Sequence, residues 1–277
     1  MSTTPILQTP SKDYPETIDN WAVLQELKIL QEKLQEKEVA DYVTPVDNRE
    51  ILQKLELEKD ELTSIITSIG FGSILTGLTT FSIALLGLLL AWKPMVRLEK
   101  VARLIKLITA ILEEFESQQV ETLPLQKVPG REQPIDLMIR FPGKEFLLLA
   151  IRSFGEATII YNESRGMLYY KRERKGLNKL KPDPLTDLSE QAYWLKKNRR
   201  DFFGSSKGVR KPMAKVLVIW GQTKLATHQE HLYTTLGGQK FLFIPREGGA
   251  CYVIHQTQVI EFIRAYLAHR QSQEQAA

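Results

Sequence analysis

The pattern of apolar and polar positions changes character several times along this chain, and each change predicts a different kind of element. Val23, Leu27, Leu30 and Leu34 recur at spacings of four, three and four, while Glu26, Lys28, Glu32, Lys33, Glu36 and Lys37 fill the other faces. That spacing predicts an amphipathic helix, with Thr17, Asp19 and Asn20 as capping oxygens and Pro45 closing the segment. From Leu62 to Trp92 the pattern is LTSIITSIGFGSILTGLTTFSIALLGLLLAW, without one ionisable side chain. Roughly 20 apolar residues in a helix cross a hydrocarbon core about 30 Å thick, so 62–92 is expected to be a single transmembrane helix, crossing from about Gly70 to Trp92. Its glycines, Gly70, Gly72, Gly77 and Gly87, permit close helix contact but show no GxxxG spacing. Next, Leu98, Val101, Ile105, Ile108, Leu112 and Phe115 restore a three-and-four repeat, which predicts a juxtamembrane amphipathic helix over 93–119. The stripe fits a heptad and offers a route to a homo-oligomer through Leu98 to Phe115. Leu104 and Ile111 widen it, which suits packing on the chain's own domain instead.

Pro124, Pro129 and Gly130 mark 120–133 as a loop, after which the period falls to two and β-prone runs begin. Pro134 to Phe141 and Glu145 to Ser153 flank the turn Pro142-Gly143-Lys144 and read as a hairpin. Further strands are expected at Ala157 to Tyr161, Met167 to Lys171, Lys215 to Trp220 and Lys240 to Ile244. Leu185, Leu188, Ala192 and Leu195 mark a helix, and Val259, Ile263, Tyr266 and Leu267 mark another. The chain therefore divides into a helical tail (1–61), the membrane helix (62–92), the juxtamembrane helix (93–119), the loop (120–133), an α/β domain (134–270) and a disordered tail (271–277).

Charge sharpens this picture. The net +4 conceals a split: residues 1–61 hold seven basic and fourteen acidic groups, leaving 30 of the 37 basic and 19 of the 33 acidic groups to the remainder. Acidic ELEKDEL precedes the apolar run, whereas Lys93, Arg97, Lys100, Arg103 and Lys106 follow it, so the positive-inside tendency puts the C-terminal domain in the cytoplasm and the tail outside. An apolar run that begins after sixty residues, with no basic region before it, is not a signal peptide. A lone cysteine, Cys251, excludes a disulfide framework and a multi-thiolate zinc site. His228-Gln229-Glu230-His231 lacks the spacing that puts two imidazoles on one helical face, and Gly237-Gly238 and Gly248-Gly249 read as turns, not phosphate loops.

The order of these elements, with Asp136 in Pro134-Ile135-Asp136-Leu137 and the run Leu149-Ala150-Ile151-Arg152-Ser153, resembles the nuclease-related domain within the PD-(D/E)XK nuclease superfamily. The resemblance covers about Leu98 to Leu267. It implies a nuclease-like mixed sheet flanked by helices, in which a helix precedes a hairpin carrying an Asp on one strand and Glu-x-Lys on the next. Hydrolysis in that superfamily uses a divalent ion, normally Mg²⁺, held by carboxylates. By resemblance Asp136 is a metal ligand and Arg152 stands at the lysine position, but Ala150 occupies the place of the second acid and supplies no oxygen. An active enzyme would need a migrated acid, for which Glu156 qualifies by strand parity if the strand continues through Gly155, as do Glu113, Glu114 and Glu116 on the preceding helix.

Between Lys171 and Lys215 fourteen basic residues face five acidic ones. Lys171, Arg172, Arg174, Lys175, Lys196, Lys197, Arg199 and Arg200 are the candidates for contact with nucleic acid or anionic lipid, and Tyr169, Tyr170, Tyr193, Trp194, Phe202 and Phe203 are interleaved for base stacking. The expected protein is thus a membrane-tethered, nuclease-like binding or scaffolding module, deficient in catalysis. Its rivals are an active Mg²⁺-dependent membrane-bound nuclease and an oligomeric structural membrane protein.

Overall fold

A computed structural model describes residues 25, 27–29 and 46–275, apart from 78–80, 130–132, 144, 174, 205 and 247–248. The predicted tail helix falls almost wholly outside these residues. Asp47 starts the first long helix, α1 (Asn48–Gly77), by accepting the backbone N–H of Arg49 at 2.9 Å. The second, α2 (Phe81–Phe115), runs back beside it, with Arg97 Nε donating to Glu58 Oε1 at 2.5 Å across the pair.

Two expectations are corrected here. The apolar stretch 62–92 is not one helix but is divided between α1 and α2, and among the described residues no helix is long and apolar enough to cross a membrane. The first helix ends at Gly77, the weakest helix former short of proline. Juxtamembrane residues form no separate helix either, because α2 runs without interruption from the apolar stretch to Phe115.

The domain is built on a seven-stranded mixed sheet. Its strands are β1 (Glu121–Gln126), β2 (Ile135–Phe141), β3 (Glu145–Arg152), β7 (Met213–Ile219), β9 (Tyr233–Leu236), β10 (Gln239–Ile244) and β11 (Cys251–His255), in the order β1-β2-β3-β7-β11-β10-β9. β1, β2 and β3 form an antiparallel meander, while β7 lies parallel to β3 and to β11. A four-stranded sheet, β6-β5-β4-β8, is made by β4 (Ala157–Asn162), β5 (Met167–Arg172), β6 (Lys175–Lys179) and β8 (Lys224–Leu225). The expected α/β architecture with a mixed sheet and flanking helices is what the chain forms.

Strands β2 and β7 are buried at every position, as central strands covered on both faces must be. On one face, Val101, Leu104, Ile108, Ile111 and Phe115 of α2 pack with Leu137, Leu149 and Val216 and with Phe262 and Ile263 of the last helix, α5 (Val259–Gln275). The stripe read as a route to a homo-oligomer packs within the chain. The other face is covered by α3 (Pro184–Asn198), whose Leu185, Leu188 and Leu195 are fully buried against Met138, Leu148 and Leu217. Asp183 caps α3 by accepting from Leu185 N at 3.2 Å, with Pro184 at its first position. A short α4 (Ser206–Arg210) leads into β7.

The loop expected over 120–133 contains β1. Pro124 is tolerated because β1 is an edge strand, paired with another strand on one side only. Asn48 at the start of α1 ties the hairpin to this edge, donating to Val120 O at 2.7 Å and accepting from Thr122 N at 2.9 Å. At the other end of the chain, α5 continues through Gln275, so 271–275 is helical and not a disordered tail.

Candidate functional site

Strand register sets the candidate centre. Leu137 pairs with Leu149 in the antiparallel β2–β3 ladder, which sets Asp136 across from Ala150 and diagonal to Arg152 on the same sheet face. The Asp136 side chain is fully buried, and each oxygen has a cation beside it, although Oδ1 has charge contact without a hydrogen bond of good geometry. Oδ2 accepts from Arg152 Nη1 at 2.5 Å and from Ile151 N at 2.8 Å, and Oδ1 lies 2.5 Å from Lys100 Nζ. Arg152 Nη1 also donates to Ile151 O at 2.9 Å, which holds the guanidinium over the strand end.

Two cations around one carboxylate leave this centre with an excess positive charge. A divalent ion would have to displace both and then find other oxygen donors, and Ala150 offers none. Among the described residues no group of three or more His, Cys, Asp or Glu side chains stands where it could hold a metal. The residues present do not fit Mg²⁺ at Asp136.

Glu156 is not brought to this centre. β3 ends at Arg152, and the chain then turns at Gly155, whose φ of +64° is open to glycine without strain. Thr223 fixes the turn, its hydroxyl accepting from Phe154 N at 2.8 Å and donating to Gly155 O at 2.9 Å. Strand parity therefore no longer applies to Glu156, which is exposed and lines a depression with Lys171, Arg172, Glu173 and Lys224. Glu113 and Glu114 lie roughly 20 Å beyond Lys100 along α2, and Glu114 is paired with Arg264.

The predicted basic residues are dispersed. Lys171 and Arg172 are exposed on β5 of the small sheet, with Arg172 above the Tyr170 ring at 5.7 Å. Arg174 lies outside the described residues, and Lys175 begins β6. At the end of α3, Lys196 is half-buried and donates to Lys211 O at 2.7 Å, while Arg199 grips Asp201 and lies 3.7 Å from the Phe202 ring centroid. Lys197 sits 6.0 Å from the Tyr193 ring centroid and Arg200 is exposed. Of the interleaved aromatics, Tyr169, Phe202 and Phe203 are buried in the core and Tyr193 is exposed.

Lys215, counted in the sequence as part of the basic run, is buried on β7, its ammonium donating to Gly249 O at 2.5 Å and Ser189 Oγ at 3.3 Å. Burial lowers its pKa, and burial followed by the nearby Lys215 charge lowers that of Lys196. Both histidines of the 228–231 segment have structural partners. His228 Nε2 accepts from Tyr161 N at 2.8 Å, and His231 pairs with Glu163 at 2.8 Å. Burial pushes the His228 imidazole below its ordinary value. The residue that sequence reasoning overlooked is Lys100, which read as one of several flanking charges. Its signal was phase: Lys93, Arg97 and Lys100, spaced four and three apart, share one face of a helix.

Comparison with protein-family models, with curated protein sequences and with solved structures finds no match to this chain.

Proposed function

We propose that this chain is a membrane-surface protein whose helical hairpin dips into one leaflet and whose nuclease-like α/β domain binds an anionic ligand without cleaving it. The carrying observation is the Asp136 carboxylate, held by Lys100, Arg152 and the Ile151 amide where the resemblance would require a metal. The order of elements supports the nuclease-like part: α2, the antiparallel strands bearing Asp136 and Arg152, then α3 and the parallel strand β7. Ala150 across from Asp136 removes the second acid, and a permanently charged guanidinium replaces the adaptable lysine.

The hairpin supports the membrane part. At roughly 1.5 Å per residue, the charge-free portions 62–77 and 81–92 are about 24 and 18 Å long. Each falls short of a hydrocarbon core of about 30 Å and exceeds its half. Phe71, Leu89, Leu90 and Trp92 are 61–66% exposed on these legs, a surface that water penalises. A hairpin returns the chain to the side it left, which replaces the sidedness expected of a single crossing helix.

The domain reading is tested with the full-length protein, Mg²⁺ or Mn²⁺, and labelled single- and double-stranded DNA and RNA. The expected result is no metal-dependent cleavage above that of Asp136→Asn. Cleavage by the wild type that Asp136→Asn abolishes would restore the enzyme.

A further inference from the structure

At the foot of the hairpin, where α2 leaves its apolar leg and enters the domain, a cleft of about 790 Å³ opens between α2 and the segment that follows β1. Its apolar wall includes Trp92, Val96 and Val128, and its polar lining is Lys93, Arg97, Lys100 and Lys127. Among the described residues no carboxylate lines it. Arg97 and Lys100 are paired, with Glu58 and Asp136, whereas among the described residues Lys93 and Lys127 form no ion pair.

We propose that this cleft binds the headgroup of an anionic phospholipid, with the acyl chains lying along the exposed apolar legs of the hairpin. The inference rests on the membrane reading above and specifies its ligand. Three observations support it. The lining is amphipathic in the order a phospholipid requires, cationic beside apolar. The cleft is continuous with the hairpin, since Trp92 belongs both to its wall and to the exposed apolar surface. Its location at the end of the charge-free run sets Lys93 and Arg97 at the depth where an inserted leg meets the phosphate layer, where cations gain most from an anionic leaflet. Lys100 links the cleft to the domain, because the same ammonium contacts Asp136.

The test is flotation of the full-length protein with vesicles of phosphatidylcholine alone and of phosphatidylcholine with phosphatidylglycerol. Wild type should bind both and prefer the anionic vesicles. Lys93→Glu with Lys127→Glu should retain binding to neutral vesicles and lose the preference by at least roughly fivefold per cation changed. Reversal of Lys171 and Arg172 on the small sheet should leave that preference intact. Quenching of tryptophan fluorescence by bromine on the acyl chains should fall sharply in Trp92→Phe, an independent measure of position that needs no charge change. All of the altered side chains are exposed, and thermal melting verifies folding.

A preference unchanged in the Lys93/Lys127 variant would overturn the cleft while leaving the membrane reading intact. No flotation by wild type, or flotation indifferent to Leu89→Glu with Leu90→Glu, would overturn the membrane reading itself. Displacement of the protein from anionic vesicles by single-stranded DNA, lost in the Lys93/Lys127 variant, would assign the cleft to nucleic acid and overturn the lipid.

Discussion

Asp136 shows how its neighbours decide what a buried carboxylate does. With an acid at 150, a carboxylate at 136 would help assemble a cation site; with Ala150, it becomes the counter-ion of Lys100 and Arg152. A buried pair stripped of one partner leaves the other charge uncompensated, at a typical cost of about 3–5 kcal/mol. Asp136→Ala is therefore expected to lower unfolding stability by about that amount, measured by denaturant titration. Asp136→Asn, which keeps the shape and an acceptor, should cost less. His228 makes a second prediction. Its Nε2 must stay unprotonated to accept the Tyr161 N–H, and burial lowers its pKa. An imidazole whose folded-state pKa is depressed contributes stability that is present above its unfolded value of about 6.5 and is lost as pH falls toward the folded value. Melting temperature should therefore drop on acidification through that window, and drop less steeply in His228→Gln.

Among elements, the strands were the most legible. Ile135–Phe141 and Glu145–Arg152 are apolar runs around a Pro-Gly turn, and both form within a residue or two of where they were expected. β1 was hidden because Pro124 argues against a central strand and says nothing against an edge, a distinction that only the sheet order supplies. The hairpin was hidden for a different reason. Absence of charge reports that 62–92 avoids water but not whether it does so as one long helix or as two short ones. Asp136 and Arg152 were singled out by resemblance and strand register brings them together, whereas Lys100 comes from an element whose packing the sequence does not state. A Cβ on Gly87 would stand 2.8 Å from Ser73 Cβ and closer still to its hydroxyl, so Gly87→Val should force the helices apart. The expected cost is about 1–3 kcal/mol, as for other overpacked contacts. Faster amide hydrogen exchange in α1 beyond Leu62, with unchanged exchange in β2 and β7, is the measurement.

For the whole molecule, the hairpin proposal fixes the topology of both ends. In sealed proteoliposomes, protease added outside should digest the N-terminal tail and the C-terminal domain in the same molecules, and spare both in the others. A population in which one end is cut while the other is protected would show a chain that crosses. The charge split also takes on a different meaning. On the same side of a bilayer, an anionic surface would treat the two parts oppositely, repelling the acidic tail and drawing in the basic domain. Raising ionic strength should therefore weaken the domain's contact with anionic vesicles while leaving the apolar insertion in place.

The unbroken course of α2 carries a mechanical implication. One helix runs from the exposed apolar leg to beneath the central sheet, and Pro94, just past Trp92, is the one proline inside it, a position that gives up a backbone hydrogen bond to the preceding turn. With the hairpin inserted as proposed, the domain would stand on a short continuous shaft whose angle is set at that proline, and not swing as a ball on a string. Whatever part of a change in leg depth passes that proline would reach Asp136 through Lys100, which lies within about two helical turns of it.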